Sequence, residues 1–434
     1  MPTVEGVERG ERRRLLVWQG VTVALLFLGY AGYYLCRSDF SVTLPQLIDE
    51  LSLHGMTPEE ARIRLGQVSS WGVFAYAIGK LLLGGTADWL GGRRNFLAGM
   101  GGAVVFTVMF GMGGGLPIFT LAWVGNRLVQ SVGWAGAVKV SSRWFSYAAY
   151  GTMMGVISLS YLFGDAASRW FMGALLGRGL GWRAIFFTAA GTLAVLFVAN
   201  LLLLKDSRAK VGLPEPEVNP DNVYAGKAPA QRRGIREVLG PLMTSVPFWL
   251  VCLLSLGTTL VRETFNTWTP TYFNQGVGYS KAMAADLSAL FPLFGGFAVV
   301  LAGWWSDKIG RKGRAAILFW GLALAAAALL GLGMVHWGSA RLIPVGLVAL
   351  IGFLIIGPYS YLAGAIAMDF GGSEGSATAS GLIDGVGYLG GGVLAGDTMA
   401  RISVSFGWSG AFVSLSGVAA LSAVCAYFYL RKHE

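Results

Sequence analysis

The stretch Tyr33-Tyr34-Leu35-Cys36-Arg37-Ser38-Asp39-Phe40 has a partial copy in Thr258-Thr259-Leu260-Val261-Arg262-Glu263-Thr264-Phe265. In each, phenylalanine follows the arginine by three residues, and proline (Pro45, Pro270) follows it by eight. Both arginines lie in apolar, glycine- and aromatic-rich segments long enough to cross a bilayer. A guanidinium does not shed its proton, so it is costly there unless it faces water, a counter-charge or an anionic ligand. Matching arginines in the two parts of one chain therefore predict a single anion site between them.

The 434 residues are 54% hydrophobic and only 13% charged, with 64 glycines. Soluble domains carry about 25% charged residues, so the composition predicts a polytopic membrane protein. The net charge of +10 falls in short loops beside apolar runs, which argues for a positive-inside bias rather than for nucleic acid. Cys36, Cys252 and Cys425 lie in apolar segments without metal or disulfide spacing, which predicts inert core thiols. The basic residues Arg9 to Arg14 precede a first apolar run too long for a cleaved leader, so that run reads as a retained span.

Spans of about 20 apolar residues are expected near 16–37, 66–87, 95–113, 117–140, 151–175, 184–204, 246–270, 284–304, 315–334, 341–363, 376–398 and 409–430. The stretch 205–240, with Pro214, Pro216, Pro220 and Pro229 among charges, reads as an extended tether. It divides an all-α membrane chain into a six-helix part over 1–204 and a pseudo-symmetric second part over 241–434. Basic clusters at Arg12 to Arg14, Arg93 and Arg94, along 205–240, at Lys308 to Arg314 and at Arg431 and Lys432 share one side. The acidic loop at 49–64 lies on the other. Both termini and the tether are expected to be cytoplasmic.

The repeat extends beyond the arginines. Gly84-Gly85-Thr86-Ala87-Asp88-Trp89-Leu90-Gly91-Gly92-Arg93-Arg94 recurs as Gly303-Trp304-Trp305-Ser306-Asp307-Lys308-Ile309-Gly310-Arg311-Lys312, and Gly181-Trp182 as Gly407-Trp408. Parallel repeats of this kind place a substrate site near the midplane between them. Asp88 with Arg93 and Arg94, and Asp307 with Arg311, are expected to form charge pairs that lock one face and break as the halves rock.

These glycine-aspartate-basic loops resemble the signature loops of the major facilitator superfamily. Within it, Gly29 to Phe40 looks like span one of the organophosphate:phosphate antiporters. The segments Gly133-Trp134-Ala135-Gly136-Ala137-Val138-Lys139 with Trp144-Phe145, and Gly387-Tyr388-Leu389-Gly390-Gly391, are similar to that family's spans four and eleven. The resemblance implies a twelve-helix, monomeric secondary transporter of the bacterial inner membrane. It would exchange an organic phosphate for inorganic phosphate by alternating access, with no cofactor and only the bilayer as a large partner. It assigns Arg37 and Arg262 to the phosphoryl group and Lys80 to the cavity lining. Tyr161 stands where glycerophosphate transporters carry a histidine, so the organic part of the substrate stays open.

Other residues carry two readings. Arg37 and Arg262 suit a bidentate phosphate clamp. The competing reading is an internal ion pair, Arg37 with Asp39 or Arg262 with Glu263. Adjacent helical residues point about 100° apart, which weakens the second pairing. Asp165 and Arg169, four apart, predict an intrahelical ion pair, with a proton-carrying Asp165 as the alternative. Asp384, with no local cation, is expected to pair with Arg127 or Lys80, or to carry a proton. Among the aromatics Tyr30, Tyr33, Tyr34, Tyr161, Trp134, Trp268, Tyr359 and Tyr388, we expect Tyr34, Tyr161 and Trp134 to line the cavity. No nucleophile elbow, phosphate loop or metal spacing occurs, and no enzymatic activity is expected. The alternatives in function are a proton-coupled carrier of another organic anion and a membrane sensor of sugar phosphate.

Overall fold

The structure, a computed structural model, describes residues 4–83, 86–216, 242–334, 340–367 and 379–431. At 4–9, 88–89, 147–152, 154–155, 303, 305–312 and 364–365 it describes backbone alone. Among the described residues the regular structure is helical throughout, with no strand. Among these residues, eight helical stretches are long and apolar enough to cross a membrane. Large apolar side chains stay exposed on the long helices, including Leu28, Trp71, Val105, Val195, Leu253, Trp320, Leu350 and Leu421. Hydrocarbon rather than water is the solvent that suits such surfaces.

The first part comprises α1 (Val4–Leu53), α2 (Pro58–Leu83), α3 (Thr86–Leu90), α4 (Gly92–Gly111), α5 (Leu116–Gln130), α6 (Gly133–Trp144), α7 (Tyr147–Gly177) and α8 (Trp182–Leu203). Helix α1 packs against α7 and α8, α2 against α5, and α4 against α5, α6 and α8. The second part comprises α9 (Val246–Thr271), α10 (Lys281–Ser288), α11 (Leu290–Met334), α12 (Leu342–Tyr361), α13 over 379–386, α14 (Asp397–Ser405) and α15 (Gly407–Arg431).

Several boundaries differ from the expected spans for physical reasons. The first apolar window stops at Arg37, but α1 continues to Leu53 because Phe40, Leu44, Leu47 and Ile48 are fully buried among neighbouring helices. Arg37 therefore sits well inside a helix rather than at its end. The fourth span is broken between α5 and α6 at residues 131 and 132. The eighth and ninth share one helical run, α11. Yet Phe291 and Ala298 of α11 meet Gly352 and Gly357, while Gly321 meets Leu354. Residues 298 and 321 would lie about 34 Å apart along a straight helix at 1.5 Å per residue, so the path folds back between them.

The tether also departs from expectation. Residues 205–213 dock on the first part instead of extending. Trp144 donates from Nε1 to the Lys205 carbonyl at 2.9 Å, and Arg208 donates to the Trp144 carbonyl at 2.8 Å. Arg143 pairs with Asp206 at 2.6 Å, and Leu213 is buried. Residues 217–241 lie outside the described ones.

Among the described residues, contacts between the two parts concentrate near the 49–64 loop. Lys281 pairs with Asp49, and Arg62 donates to Gln275 at 2.6 Å and lies over the Trp408 ring. Ser70 donates to the Val393 carbonyl at 2.5 Å and accepts from the Asp397 amide at 2.9 Å. Ser41 donates to the carbonyls of Asn266 and Thr267 at 2.8 and 2.9 Å. Toward the tether face, Lys80–Asp384 is the one cross-part ion pair among the described residues.

Candidate functional site

A cavity of about 780 Å³, counting its opening, lies between the two parts. Its lining includes Arg37 and Arg262, the two arginines of the repeated motif, together with Arg127, Arg169, Asp165 and Glu263.

Arg37 is positioned by a break in its own helix. Cys36 leaves helical geometry at φ −88°, ψ 21°, which frees its carbonyl. The Gln130 side chain donates to that carbonyl at 2.9 Å, and its Oε1 accepts from Arg37 Nε at 3.1 Å. Gln130 in turn donates to Asn126 at 2.5 Å, and Asn126 donates to Thr107 at 2.8 Å. A chain of buried amides thus fixes the guanidinium from α4 and α5, and a fully satisfied chain of this kind rigidifies its members. Arg37 also donates to the Tyr34 hydroxyl at 3.1 Å, with its guanidinium carbon 4.8 Å from the ring centroids of both Tyr34 and Tyr76.

Arg262 is held differently. It donates to the Tyr388 hydroxyl at 2.5 Å and to Glu263 Oε1 at 2.8 Å, and lies 4.4 Å over the Tyr359 ring. Tyr388 belongs to a π-helical segment, Gly387–Gly392, a distortion frequent at functional sites. A Cβ at Gly391 would collide with the Leu256 carbonyl of α9, so glycine there lets the segment press against the helix that carries Arg262. The Arg262–Glu263 pair corrects the expectation drawn from the 100° offset. Both side chains are long enough to bend toward each other, and low local dielectric rewards it. Arg37 and Asp39 are not paired: Asp39 Oδ1 accepts from the Phe40 amide and Oδ2 is buried without a partner.

Asp165 and Arg169 form the expected intrahelical pair at 2.9 Å. Ser38 also donates to Asp165 at 2.5 Å, and Arg169 reaches across to Ser288 and the Asn266 carbonyl at 3.1 and 2.9 Å. Asp384 pairs with Lys80 at 3.5 Å and accepts from the Tyr359 hydroxyl at 3.2 Å. Lys80 stands 5.1 Å from the ring centroids of both Tyr76 and Tyr388. In transport assays, Lys80→Met is expected to lower activity several-fold by stranding Asp384. Adding Asp384→Asn is expected to restore part of it, and a double variant worse than either single change would contradict the pairing.

Of the expected aromatics, Tyr34 and Tyr161 line the cavity, and Trp134 lines an adjoining space with Lys80 and Asp384. Tyr33 is buried and donates to the Phe96 carbonyl at 2.6 Å, while Trp268 donates to the Ala395 carbonyl at 3.0 Å. Tyr76 and Gln130 were not foreseen. Each had a signal in helical spacing: Tyr76 is one turn from Lys80, and Gln130 is one turn from Arg127. Of the expected locking residues, the side chains of Asp88, Asp307 and Arg311 lie outside the described ones. Arg93 donates to the carbonyls of Leu204 and Leu201 at 2.7 and 2.6 Å, both within the first part, and Arg94 is exposed. Among the described residues, no three His, Cys, Asp or Glu side chains gather at metal-binding distance.

The model of the major facilitator superfamily matches residues 26–395, and the chain belongs to that superfamily of membrane transporters. It is 26% identical to the glycerol-3-phosphate transporter of Bacillus subtilis (strain 168), over 93% of this chain and 89% of that one. It is equally similar, at 26%, to the membrane sensor protein UhpC of Escherichia coli (strain K12), over 95% of this chain and 92% of that one. The fold also matches the crystal structure of a bacterial homolog of the human lysosomal transporter Spinster in its inward-facing, unoccupied conformation. The TM-score is 0.75 at 14% identity, covering 95% and 97% of the two chains.

Proposed function

We propose that this member of the major facilitator superfamily carries an organic phosphate across the bacterial inner membrane in exchange for inorganic phosphate. Arg37 and Arg262 share the phosphoryl group. The observation that carries this reading is their convergence: one arginine from each part lines a single cavity, braced by tyrosines on its own side. The lining has four arginines against two acids, and both acids are already paired, Asp165 with Arg169 and Glu263 with Arg262. The cavity is therefore net positive and selects an anion. A planar guanidinium matches phosphoryl oxygens bidentately, and the relatives' organophosphate cargo agrees with that chemistry.

The distribution of contacts supports a reading of alternating access. Among the described residues, the bonds between the parts gather near the 49–64 loop, away from the tether face that the positive-inside bias puts in the cytoplasm. A phosphoryl group reaching both arginines draws the parts together around it. An empty cavity keeps its uncompensated cations apart and disfavours closure, which enforces exchange over leak. The two acids that would serve proton coupling, Asp165 and Asp384, are both engaged by cations.

Proteoliposomes loaded with unlabelled phosphate are expected to take up radiolabelled phosphate without an imposed gradient, and vesicles loaded with a neutral osmolyte are not. Uptake driven by a pH gradient in phosphate-free vesicles would replace this reading with proton coupling. Saturable binding of a sugar phosphate without flux would replace it with sensing, the role of the Escherichia coli membrane sensor protein among the relatives.

A further inference from the structure

The cavity holds one cation that the phosphoryl site leaves unused. Arg127, on α5, is 4% exposed and lines the cavity. Its guanidinium carbon lies 4.7 Å from the Tyr76 ring centroid and 5.9 Å from that of Trp123. Those two rings are its neighbours; among the described residues, none of its N–H groups has a hydrogen-bond or ion-pair partner, and its Nε is sealed from solvent. The other cavity arginines are all engaged: Arg37 by Tyr34 and Gln130, Arg262 by Tyr388 and Glu263, Arg169 by Asp165, Ser288 and Asn266.

A buried guanidinium with no bonded donor is costly, because each unmade hydrogen bond forfeits its hydration without replacement. A structural arginine would have closed on an acid. Asp39, close enough to act on it electrostatically, instead leaves its own Oδ2 without a partner. Nor does Glu263, engaged by Arg262 and Asn266, turn to it. Arg37 and Arg127 both stand over the Tyr76 ring, so they are near neighbours on one aromatic platform.

We propose that Arg127 is a second anion subsite and that the preferred cargo carries two anionic groups. One is the phosphoryl group shared by Arg37 and Arg262, so this inference rests on that reading. The other is a second oxyanion, carboxylate or phosphoryl, bound by Arg127 beside Tyr76. A cargo whose remaining part is neutral leaves Arg127 as unsatisfied as it is in the empty cavity.

The test uses three probes against the purified full chain: inorganic phosphate, glycerol 3-phosphate and 3-phosphoglycerate, the last two sharing a three-carbon skeleton. Wild type is expected to bind 3-phosphoglycerate at least tenfold more tightly than glycerol 3-phosphate, about 1.4 kcal/mol. Arg127→Gln is expected to abolish that preference, weakening 3-phosphoglycerate about tenfold more than it weakens inorganic phosphate or glycerol 3-phosphate. Arg127→Lys, keeping the charge, is expected to retain part of the preference, and it serves also if the glutamine variant does not fold. Equal weakening of all three probes in either folded variant would overturn the subsite, as would a wild type without the preference. Failure of wild type to bind inorganic phosphate at all would instead sink the phosphoryl reading, and the subsite with it.

Discussion

Arg37→Ala and Arg262→Ala are each expected to fold and to lose phosphate affinity by roughly two orders of magnitude or more. Truncating one member of a desolvated, hydrogen-bonded charge contact costs about 2–5 kcal/mol. The two losses have different side effects. Removing Arg37 frees Tyr34 and Gln130, and Gln130 keeps its bonds to Cys36 and Asn126. In the amide chain only Gln130 Oε1 loses its donor, and water filling the space left by the arginine can satisfy it, so stability should change little. Removing Arg262 leaves the Glu263 carboxylate with only Asn266, at 3.3 Å, inside a cavity that has lost a cation. Arg262→Ala should therefore also lower thermal stability, and Arg262→Ala/Glu263→Gln should recover stability without recovering binding. Detergent-solubilised thermal unfolding, paired with equilibrium phosphate binding, separates the two effects. Wild-type affinity in either single variant would remove that arginine from the site.

The second large effect is expected at Asp165 and Arg169. Their side chains are 8% and 2% exposed, and Arg169 bridges to Ser288 and the Asn266 carbonyl of the other part. Breaking a buried pair by removing one partner costs about 3–5 kcal/mol. Asp165→Ala strands a guanidinium and Arg169→Ala strands a carboxylate, so each is expected to reduce folded yield and lower the unfolding temperature by several degrees. Asp165→Asn/Arg169→Met, which removes both charges and roughly keeps volume, is expected to be more stable than either alanine variant. Transport in the double variant should be slow even so, because Arg169 is one of the residues whose bonds join the two parts. Single variants as stable as wild type would show that the pair is dispensable to the fold.

The parts of this molecule that follow from local chemistry were legible in the sequence. Arg37 and Arg262 stood out because an arginine in an apolar run demands an explanation, and the repeat gave both the same one. Asp165 and Arg169 were legible from i, i+4 spacing alone. What stayed hidden depends on contacts between distant segments. Glu263 was read as pointing away from Arg262 because helix geometry fixes Cβ directions, not the ends of long side chains. Gln130 gained its place only because Cys36, almost a hundred positions away, breaks its helix and exposes a carbonyl. Arg127 could be read only as a possible partner for Asp384, since nothing local says that it lies over Tyr76 and faces the cavity. The docking of residues 205–213 was obscured by their polar composition. Asp206 and Arg208 look like tether residues until Arg143 and the Trp144 carbonyl are placed beside them.

A double-mutant cycle on inorganic phosphate binding decides whether one phosphoryl group is held jointly by Arg37 and Arg262. Isothermal titration would compare wild type, Arg37→Ala, Arg262→Ala and the double variant, each verified as folded. A jointly held group predicts strong coupling: the double variant should bind scarcely more weakly than either single one, because either truncation already dismantles the clamp. Losses that simply add, to within about 0.5 kcal/mol, would mean that the two arginines act on different groups and would contradict the shared site.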